Sequence, residues 1–338
     1  MRYIGLDVHK DNITACAIAA GGKVIWNRDG PSDEGWLREI HESMKGQEYC
    51  VMMESSTYSY AAYRFFQGIG IEAYVAHARS LEVITRSDKK TDKADAEKIG
   101  RLLRLWKRGE LDDLSISYIP SPEQCELKDV CRYREELSRQ MGDEVRRIRS
   151  HMARNCQQAP EGCANLSTSK SQRLIREAYP GDYTLLRRLD RYAALLKEKA
   201  AVTKEIVSRF PDSKEVDLLA GIPGIGRLTA VQIMSMVIDV GRFADAEKMC
   251  AYFGMVPRVR DSGGKERRGR MTKNGDRMMR SIMERVASSH IRCCESSVTE
   301  FYRRKEKEMG KKKALTAASR KMLALIFAVL RDMRPFTA

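Results

Sequence analysis

Long apolar runs are missing from the sequence. The longest one near the C-terminal end covers residues 322–330, nine residues flanked on both sides by basic ones, whereas a membrane-spanning helix needs about 20. The N-terminus goes directly into a strand-like pattern instead of a basic segment followed by an apolar one, so no signal peptide is predicted. We therefore expect a soluble protein without a membrane partner.

The features of a cysteine framework are also missing. The nine cysteines are odd in number, are scattered through 338 residues and include no Cys-x-x-Cys pair. Disulfide-stabilised secreted domains use even numbers of cysteines, and structural zinc sites use closely spaced pairs. A disulfide framework and a structural zinc site are therefore both disfavoured, and the cysteine pattern fits a reducing cytoplasm.

Acidic residues are too few to balance the basic ones. The chain has 61 Lys and Arg against 46 Asp and Glu, which gives a net charge of +15 and a pI near 9.4. A surplus of this size predicts a polyanionic partner, and nucleic acid is the usual one. Apolar residues make up 43% of the chain, enough for ordinary cores, and 338 residues correspond to about two domains.

The first third of the chain alternates between strand-like and helix-like patterns. Strands at 2–10, 12–20 and 23–30 include a two-glycine turn that predicts a β-hairpin. Ser32 is predicted to cap the helix that follows. The remaining elements of this part are a strand at 48–55, a helix at 58–68, a strand at 72–78 and a helix at 92–107. A hairpin followed by β-α-β units predicts a mixed sheet with helices on its faces.

Strand-like patterns are absent from the rest of the sequence. Two long helices are predicted at 123–156 and 183–210, separated by a loop rich in Ser, Gly and Pro at 159–171. Near-heptad spacing of leucines in the second helix favours a helical hairpin that pairs as a coiled coil, within one chain or between chains. An ordinary helical spacer is the alternative. From residue 215 onward the chain is predicted to be helical and very basic.

Four carboxylates in the first part of the chain form a candidate metal site. Asp7 lies inside the first strand, where an unpaired charge is costly, and Glu54 ends a later apolar strand. Asp92 and Asp95 share one face of a helix at i and i+3. A lone acidic residue is usually a solvated surface group. Four that converge at one sheet edge select hard divalent cations, and Mg²⁺ suits phosphate chemistry.

A PGIG turn between two predicted helices is a candidate DNA contact. Gly224 and Gly226 permit a tight turn, and the backbone N–H groups before the next helix can hold a phosphate. The pattern is typical of a helix-hairpin-helix motif, which contacts DNA without reading its base sequence. A plain turn between two helices is the alternative.

Residues 258–280 hold nine Lys or Arg and three acidic residues, and we predict a loop that contacts phosphates. The candidate contacts are Arg258, Arg260, Lys265, Arg267, Arg268, Arg270 and Lys273. Ser262 lies beside two glycines that would let a phosphodiester approach its hydroxyl, and arginines nearby can stabilise a pentacoordinate phosphorus. A serine needs a base or a metal to become a nucleophile, so simple phosphate contact is the alternative.

Taken together, these motifs resemble the insertion-sequence-110 family of transposases, whose relatives include the pilin-gene invertases. The resemblance covers nearly the whole chain in family order and rests on YIGLDVHK, MESSTYSY, TDKADA, LAGIPGIG and PRVRDSGGKERRGRMTKNG. It implies an α/β domain of RNase H-like, RuvC-like type at 1–115, a helical coiled-coil region at 116–212 and a helical C-terminal transposase domain at 213–338.

The resemblance also implies roles for the site residues. Asp7, Glu54, Asp92 and Asp95 would form a DEDD tetrad that holds Mg²⁺, with Mn²⁺ as a second candidate. Ser262 would form a serine–DNA phosphodiester. The implied partners are double-stranded donor and target DNA, a structured non-coding guide (bridge) RNA and further copies of the chain in a dimer or tetramer. The implied location is the bacterial cytoplasm, beside the nucleoid.

The sequence therefore predicts a DNA recombinase, and two alternatives stay open. One is a structure-selective nuclease, resembling a Holliday-junction resolvase, in which the acids activate water and Ser262 only contacts phosphate. The other is a nucleic-acid-binding module with a degenerate metal site, against which the four intact acids argue.

Overall fold

A computed structural model of the chain describes residues 1–77, 81, 91–112, 114–163, 165–209, 213–262, 265–272 and 275–337, with the backbone alone described at 258–262 and 265–270. The chain forms two compact units, Met1–Ile119 and Pro120–Ala338. The division lies close to the boundary predicted at 115/116, and the boundary predicted at 212/213 falls inside the second unit.

A five-stranded mixed sheet forms the centre of the first unit. Its strands are β1 (Arg2–Val8), β2 (Asn12–Ile18), β3 (Val24–Pro31), β4 (Tyr49–Glu54) and β5 (Ala73–Ala76). Their order across the sheet is β3-β2-β1-β4-β5. β2 runs antiparallel to both β1 and β3, whereas β4 is parallel to β1 and β5 is parallel to β4. The predicted mixed α/β class is confirmed, and the sheet is consistent with an RNase H-like DEDD domain.

Helices cover both faces of this sheet. They are α1 (Glu34–Ser43), α2 (Ser59–Gly68) and α3 (Asp92–Lys107). Apolar side chains of α1 and α2 pack on one face, and those of α3 pack on the other. The predicted cap of α1 at Ser32 is wrong by one residue. The Asp33 carboxylate accepts a hydrogen bond from the Trp36 amide, because a cap side chain reaches the amide three residues ahead.

Two long helices that pack against each other begin the second unit. Its first three helices are α4 (Pro122–Arg154), α5 (Ser169–Ala178) and α6 (Tyr183–Ser208). Leu137 and Ile148 of α4 share an apolar cluster with Leu185 and Leu189 of α6. The predicted helical hairpin is therefore present within one chain, and α5 takes up the end of the segment predicted as a loop. Pairing between chains stays a prediction.

The rest of the second unit surrounds an apolar core that includes Met236, Phe253, Ile282 and Ile326. Its helices are α7 (Lys214–Ala220), α8 (Arg227–Val237), α9 (Ala246–Tyr252), α10 (Arg277–Cys293), α11 (Ser297–Met309) and α12 (Lys311–Asp332), with a 3₁₀ turn at Val240–Arg242. Within the described part of the chain, none of the helices has the length and apolar character that a membrane crossing requires.

The basic segment is a β-hairpin, so the prediction of a helical region with a basic loop is wrong at this point. Strands β6 (Pro257–Ser262) and β7 (Lys265–Met271) pair in antiparallel orientation. Only the two glycines 263 and 264 separate the strands in sequence. Two glycines between strands are the same hairpin signal that the N-terminal part carries, and the high charge of the flanking residues obscured it.

Candidate active site

Asp7 and Glu54 end up on the same face of the sheet. The register pairs Leu6 of β1 with Met53 of β4, and each acidic residue is the next one along its strand. Leu6 and Met53 both belong to the apolar cluster under α1 and α2, and side chains alternate between faces along a strand. The two acidic residues therefore stand on the opposite face, which α3 covers.

A close approach between α3 and β1 brings the start of the helix to this edge. A Cβ atom at Gly5 would lie 2.1 Å from the Ala96 carbonyl oxygen and 2.3 Å from the Gly100 amide nitrogen. Only glycine leaves room for backbone at that distance. Gly5 precedes Asp7 by two residues and Ala96 follows Asp92 by four, so this contact sets the first turn of α3 beside Asp7.

The first turn of α3 carries two acidic residues. The Thr91 hydroxyl caps the helix by accepting a hydrogen bond from the Ala94 amide, and negative charge is favourable at a helix N-terminus. Asp92 accepts a hydrogen bond from the Asn12 side-chain amide, at 3.4 Å from Nδ2 to Oδ2. Asp95 pairs with Lys98, at 2.9 Å from Oδ1 to Nζ. Asp92 is thus held by a neutral group, and Asp95 by a cation.

His9 joins these acidic residues, and the sequence analysis missed it. Its Nε2 lies 3.2 Å from Asp7 Oδ2 and 3.9 Å from Asp92 Oδ1. One ligand atom from each of the three residues lies within 4.8 Å of the others. A signal was present, because an Asp and a His two residues apart at a strand end emerge on the same side of the chain.

Burial raises the pKa of the Asp7 carboxyl above its ordinary value, since only 14% of the side chain is exposed. The negative charges of Asp92 and Asp95 raise this pKa further, and His9 lowers it. Loss of water is the largest of these effects. A carboxylate that is poorly hydrated and surrounded by like charges is stabilised by a bound cation.

The donor chemistry fits a divalent cation. Carboxylate oxygens are the ligands that Mg²⁺ prefers, and Mn²⁺ also accepts an imidazole nitrogen. The structure brings Asp7, Asp92 and His9 together as such donors. Glu54, which is exposed at the end of β4, and Asp95 of α3 are further carboxylates of this unit, but they are not part of the group of ligand atoms within 4.8 Å of one another.

A second row of polar residues connects α3 to the sheet, and it was also missed. Thr14 pairs with Asp7 in one direction and with Asp29 in the other. Asp29 accepts a hydrogen bond from the Thr14 hydroxyl and pairs with Lys93 of α3, both at 2.9 Å. The Lys93 ammonium lowers the pKa of Asp29. Because Lys93 already neutralises the charge of Asp29, we assign Asp29 to positioning the start of α3 and not to binding a cation.

Ser262 is the last residue of β6, in the second unit, whereas the acidic residues belong to the first. The register of the hairpin opposes Ser262 to Lys265 and Arg260 to Arg267. Two arginines at opposed positions are an unfavourable pair unless an anion neutralises them. The other candidate contacts in the strands are Arg258, Arg268 and Arg270. Lys273 lies outside the described residues.

The two glycines of the PGIG turn have different surroundings. Gly224 has a φ of +94°, and a Cβ there would lie 2.8 Å from the His290 amide nitrogen of α10. The His290 ring lies with Nδ1 2.6 Å from the Pro223 carbonyl oxygen, so this half of the turn is packed against a helix. Gly226 is exposed and begins α8 without a side-chain cap. Open space for a ligand is thus found at Gly226, where nothing lies within 4 Å of a Cβ position.

Two family models match the chain. Residues 4–156 match a model of the DEDD transposase domain of IS110, described as a transposase. Residues 202–303 match a model described as the transposase of the IS116/IS110/IS902 family. The first match spans the four acidic residues, and the second spans the PGIG turn and Ser262.

Curated relatives match over almost the whole chain. The transposase for insertion sequence element IS1111A of Coxiella burnetii is 23% identical over 337 residues, which cover 98% of this chain and 90% of that protein. The pilin gene-inverting protein of Moraxella bovis is 25% identical over 353 residues, which cover 99% of this chain and 97% of that protein. A second pilin gene-inverting protein, from Moraxella lacunata, is 33% identical over 123 residues, or 35% of this chain and 38% of that protein.

Proposed function

Because this chain belongs to the IS116/IS110/IS902 family of transposases and is a DNA recombination enzyme, we propose that it cuts and rejoins DNA through a covalent ester at Ser262. In this proposal the acidic edge of the first unit holds a divalent cation, Mg²⁺ or Mn²⁺. Asp7, Glu54, Asp92 and Asp95 are the proposed tetrad.

One observation carries the metal assignment. Ligand atoms of Asp7, His9 and Asp92 come from a strand, a turn and a helix, and they lie within 4.8 Å of one another. The glycine contact between β1 and α3 keeps these three residues close together, and as a result the Asp7 carboxylate is crowded and poorly hydrated. When bound, a divalent cation would stabilise the charge of a scissile phosphate and lower the pKa of a nearby hydroxyl.

The residues of the site have distinct proposed roles. Asp7 and Asp92 supply carboxylate oxygens, and His9, whose Nε2 lies 3.2 Å from Asp7 Oδ2, supplies an imidazole nitrogen to a bound Mn²⁺. Lys98 holds Asp95, and Glu54 completes the set from the neighbouring strand. Thr14, Asp29 and Lys93 fix the start of α3, so that the ligands need little rearrangement before the reaction.

Ser262 supplies the nucleophile in this proposal. Its oxygen bonds to phosphorus as the bond from phosphorus to the deoxyribose oxygen breaks. The serine proton leaves to solvent, and the departing sugar oxygen takes up a proton. One phosphodiester replaces another, so the bond energy is kept and rejoining after strand exchange needs no ATP.

The remaining basic and glycine residues are proposed to hold nucleic acid. The hairpin of β6 and β7 carries six arginines and lysines between Arg258 and Arg270, which would contact phosphates on both sides of Ser262. The backbone amides that begin α8, where Gly226 is exposed, would contact a further phosphate in the manner of a helix-hairpin-helix motif. Gly224, which has no side chain, lets this turn pack closely against α10.

The resemblance to the family supports two further proposals. A structured guide RNA would select donor and target DNA by base pairing, in keeping with the net charge of +15. Exchange of two pairs of strands needs more than one active site, so the working form is proposed to be a dimer or tetramer. The cytoplasm beside the nucleoid is the proposed location.

Trapping of a denaturation-resistant protein–DNA adduct tests the mechanism. Ser262→Ala should bind donor DNA with unchanged affinity and form no adduct and no recombinant, because the attacking oxygen is lost. Ser169→Ala, which changes an exposed serine of α5, should keep both products. An adduct that persists in Ser262→Ala would show that another residue is the nucleophile.

A structure-selective nuclease is the second candidate, because all four acidic residues belong to the first unit and hydrolysis by activated water would need no serine. This candidate predicts that Ser262→Ala keeps most strand cleavage and loses only some binding. An adduct formed by the wild-type protein supports only the recombinase, and strand cleavage retained by Ser262→Ala supports only the nuclease.

A further inference from the structure

A groove on the paired helices of the second unit has an unusual concentration of arginine. It encloses about 450 Å³ and lies on α4 and α6, far along the sequence from the acidic residues and from the β6–β7 hairpin. Its lining residues are Asp143, Arg146, Arg147, Ser150, Arg154 and Arg188. We refer to it as the arginine groove.

A buried carboxylate organises these arginines. The side chain of Glu144 is only 1% exposed, and its oxygens lie 3.2 Å from Arg147, 2.9 Å from Arg188 and 3.9 Å from Arg191. An isolated buried carboxylate is strongly unfavourable, so it holds its cationic partners in place. Two guanidinium groups of the groove, those of Arg147 and Arg188, are thereby fixed before any ligand arrives, which reduces the entropy lost on binding.

The arginines exceed what the local carboxylates can neutralise. Arg146 pairs with Asp143, and three arginines share Glu144, while Arg154 also lines the groove. Four arginines line the groove, against the carboxylates of Asp143 and of the buried Glu144, which leaves a surplus of two positive charges. Arg191, 3.9 Å from Glu144, adds a third from outside the lining. This surplus points to an anionic ligand.

The spacing of the groove residues fits an extended anion. Positions 143, 146, 147, 150 and 154 recur at intervals of three or four residues, which places them along one face of α4. From residue 143 to residue 154 the helix rises by eleven steps of 1.5 Å, or roughly 16 Å. That length accommodates several phosphates of a nucleic-acid backbone, and guanidinium groups pair with phosphate oxygens in a bidentate manner.

We propose that the arginine groove binds the phosphodiester backbone of a nucleic acid. The groove shares no lining residue with the acidic edge, with Ser262 or with the basic hairpin. It therefore serves to anchor the polymer and takes no part in the chemical step. Duplex DNA and structured RNA present the same phosphate chemistry, and the experiment distinguishes them.

The test uses the full-length chain and a double variant, Arg146→Gln with Arg154→Gln. Neither residue contacts Glu144 in the ion pairs of the groove, so the melting temperature should not change. The control is Lys170→Gln with Arg173→Gln, which removes the same charge from exposed positions on α5. Fluorescence anisotropy measures binding of a DNA duplex and of a hairpin RNA of equal length over a range of salt concentrations.

We expect the groove variant to bind one or both polymers about tenfold more weakly than the control variant. Its plot of log K against log salt should be shallower by about two for duplex DNA and by somewhat less for RNA, since each lost phosphate contact removes roughly 0.7 to 0.9 from the slope. The polymer that shows the loss is the occupant. Arg146→Lys with Arg154→Lys should keep the slope and lose only part of the affinity.

Equal affinities and slopes of the groove and control variants for both polymers would overturn the proposal, as would a loss with glutamine that lysine does not partly restore. The outcome is independent of the proposed nucleophile, because the adduct assay reports on Ser262 alone. If the groove variant forms the adduct and binds both polymers as the control does, the proposed function stands and the arginine groove is not a nucleic-acid site.

Discussion

The Cβ position of Gly5 lies 2.1 Å from the carbonyl oxygen of Ala96, so no side chain fits at residue 5 while α3 keeps its place on β1. Gly100, one turn further along α3, is the second half of the contact, since its own Cβ position lies 3.1 Å from the Gly5 nitrogen. Two glycines facing each other therefore decide how near the acidic turn of α3 comes to Asp7.

Gly5→Ala should push α3 away from the sheet. Overpacking of this kind destabilises a folded protein by about 1–3 kcal/mol, and DNA cleavage should fall at least about tenfold because Asp92 moves away from Asp7. Chemical denaturation and a cleavage assay measure the two effects. Gly21→Ala is the control, since nothing lies within 4 Å of a Cβ there. Equal behaviour of the two variants would contradict the role assigned to this contact.

Asp7→Asn should make the metal-free protein more stable and insensitive to metal. Burial raises the pKa of Asp7, and a carboxyl whose pKa is higher in the folded state lowers stability at pH values above that pKa. Removal of the charge relieves this effect at pH 7. The melting temperature in EDTA should rise, and the further rise that Mg²⁺ gives to the wild-type protein should vanish.

Glu39→Gln, an exposed position on α1, serves as the control for Asp7→Asn and should behave as the wild type in both conditions. A melting temperature of Asp7→Asn that still increases with Mg²⁺ would argue against Asp7 as a ligand.

His9→Ser should weaken the response to Mn²⁺ more than the response to Mg²⁺. An imidazole nitrogen is an acceptable ligand for Mn²⁺, whereas Mg²⁺ selects oxygen. We expect about a tenfold higher Mn²⁺ concentration for half-maximal thermal stabilisation, and a change of about threefold or less for Mg²⁺. Equal changes for both ions would assign His9 to hydrogen bonding with Asp7 alone.

The tip of the helical pair should weaken in acid through Asp182. The Leu185 amide, the His151 ring and the Gln157 side chain hydrogen-bond its carboxylate and lower its pKa from 3.8 to about 2. A carboxyl with a depressed folded-state pKa stabilises the protein above its unfolded-state pKa, and this contribution is lost as pH falls through the folded value.

The melting temperature of wild type should therefore exceed that of Asp182→Asn near pH 5, and the difference should close between about pH 4 and pH 2. Asp129→Asn changes a carboxylate that is 71% exposed and should give a smaller difference. A gap between wild type and Asp182→Asn that stays constant to pH 2 would disprove the assignment.

Arg267→Ala with Arg268→Ala tests the β6–β7 hairpin as a phosphate contact. If both residues touch phosphate, the slope of log K against log salt for duplex DNA should become shallower by about 1.8. Binding assays over a range of salt concentrations supply the slope. An unchanged slope would place both arginines on a solvated face of the hairpin.

Much of the first unit follows from local sequence signals. The two-glycine turn, the alternating strands and the acidic start of α3 predict a mixed sheet with helices on both faces, because short-range turn and cap chemistry dominates there. The β6–β7 hairpin was missed although it has the same two-glycine signal, since its strands carry charges where buried strands carry apolar residues. These strands form through hydrogen bonds between backbone groups, which charged side chains do not prevent.

By itself, the sequence determined which residues could do chemistry, namely the four acids, the serine and the basic surplus, since these depend on residue type and order along the chain. Only the tertiary structure decided which of them meet. His9 joins Asp7 and Asp92, and Lys93 and Asp29 fix the helix start, because glycine-to-glycine contact between a strand and a helix about 90 residues apart in sequence sets their distance. The arginine groove likewise needed the packing of α4 on α6 around Glu144. Contacts between residues so distant along the chain depend on close packing in three dimensions, which no local pattern encodes.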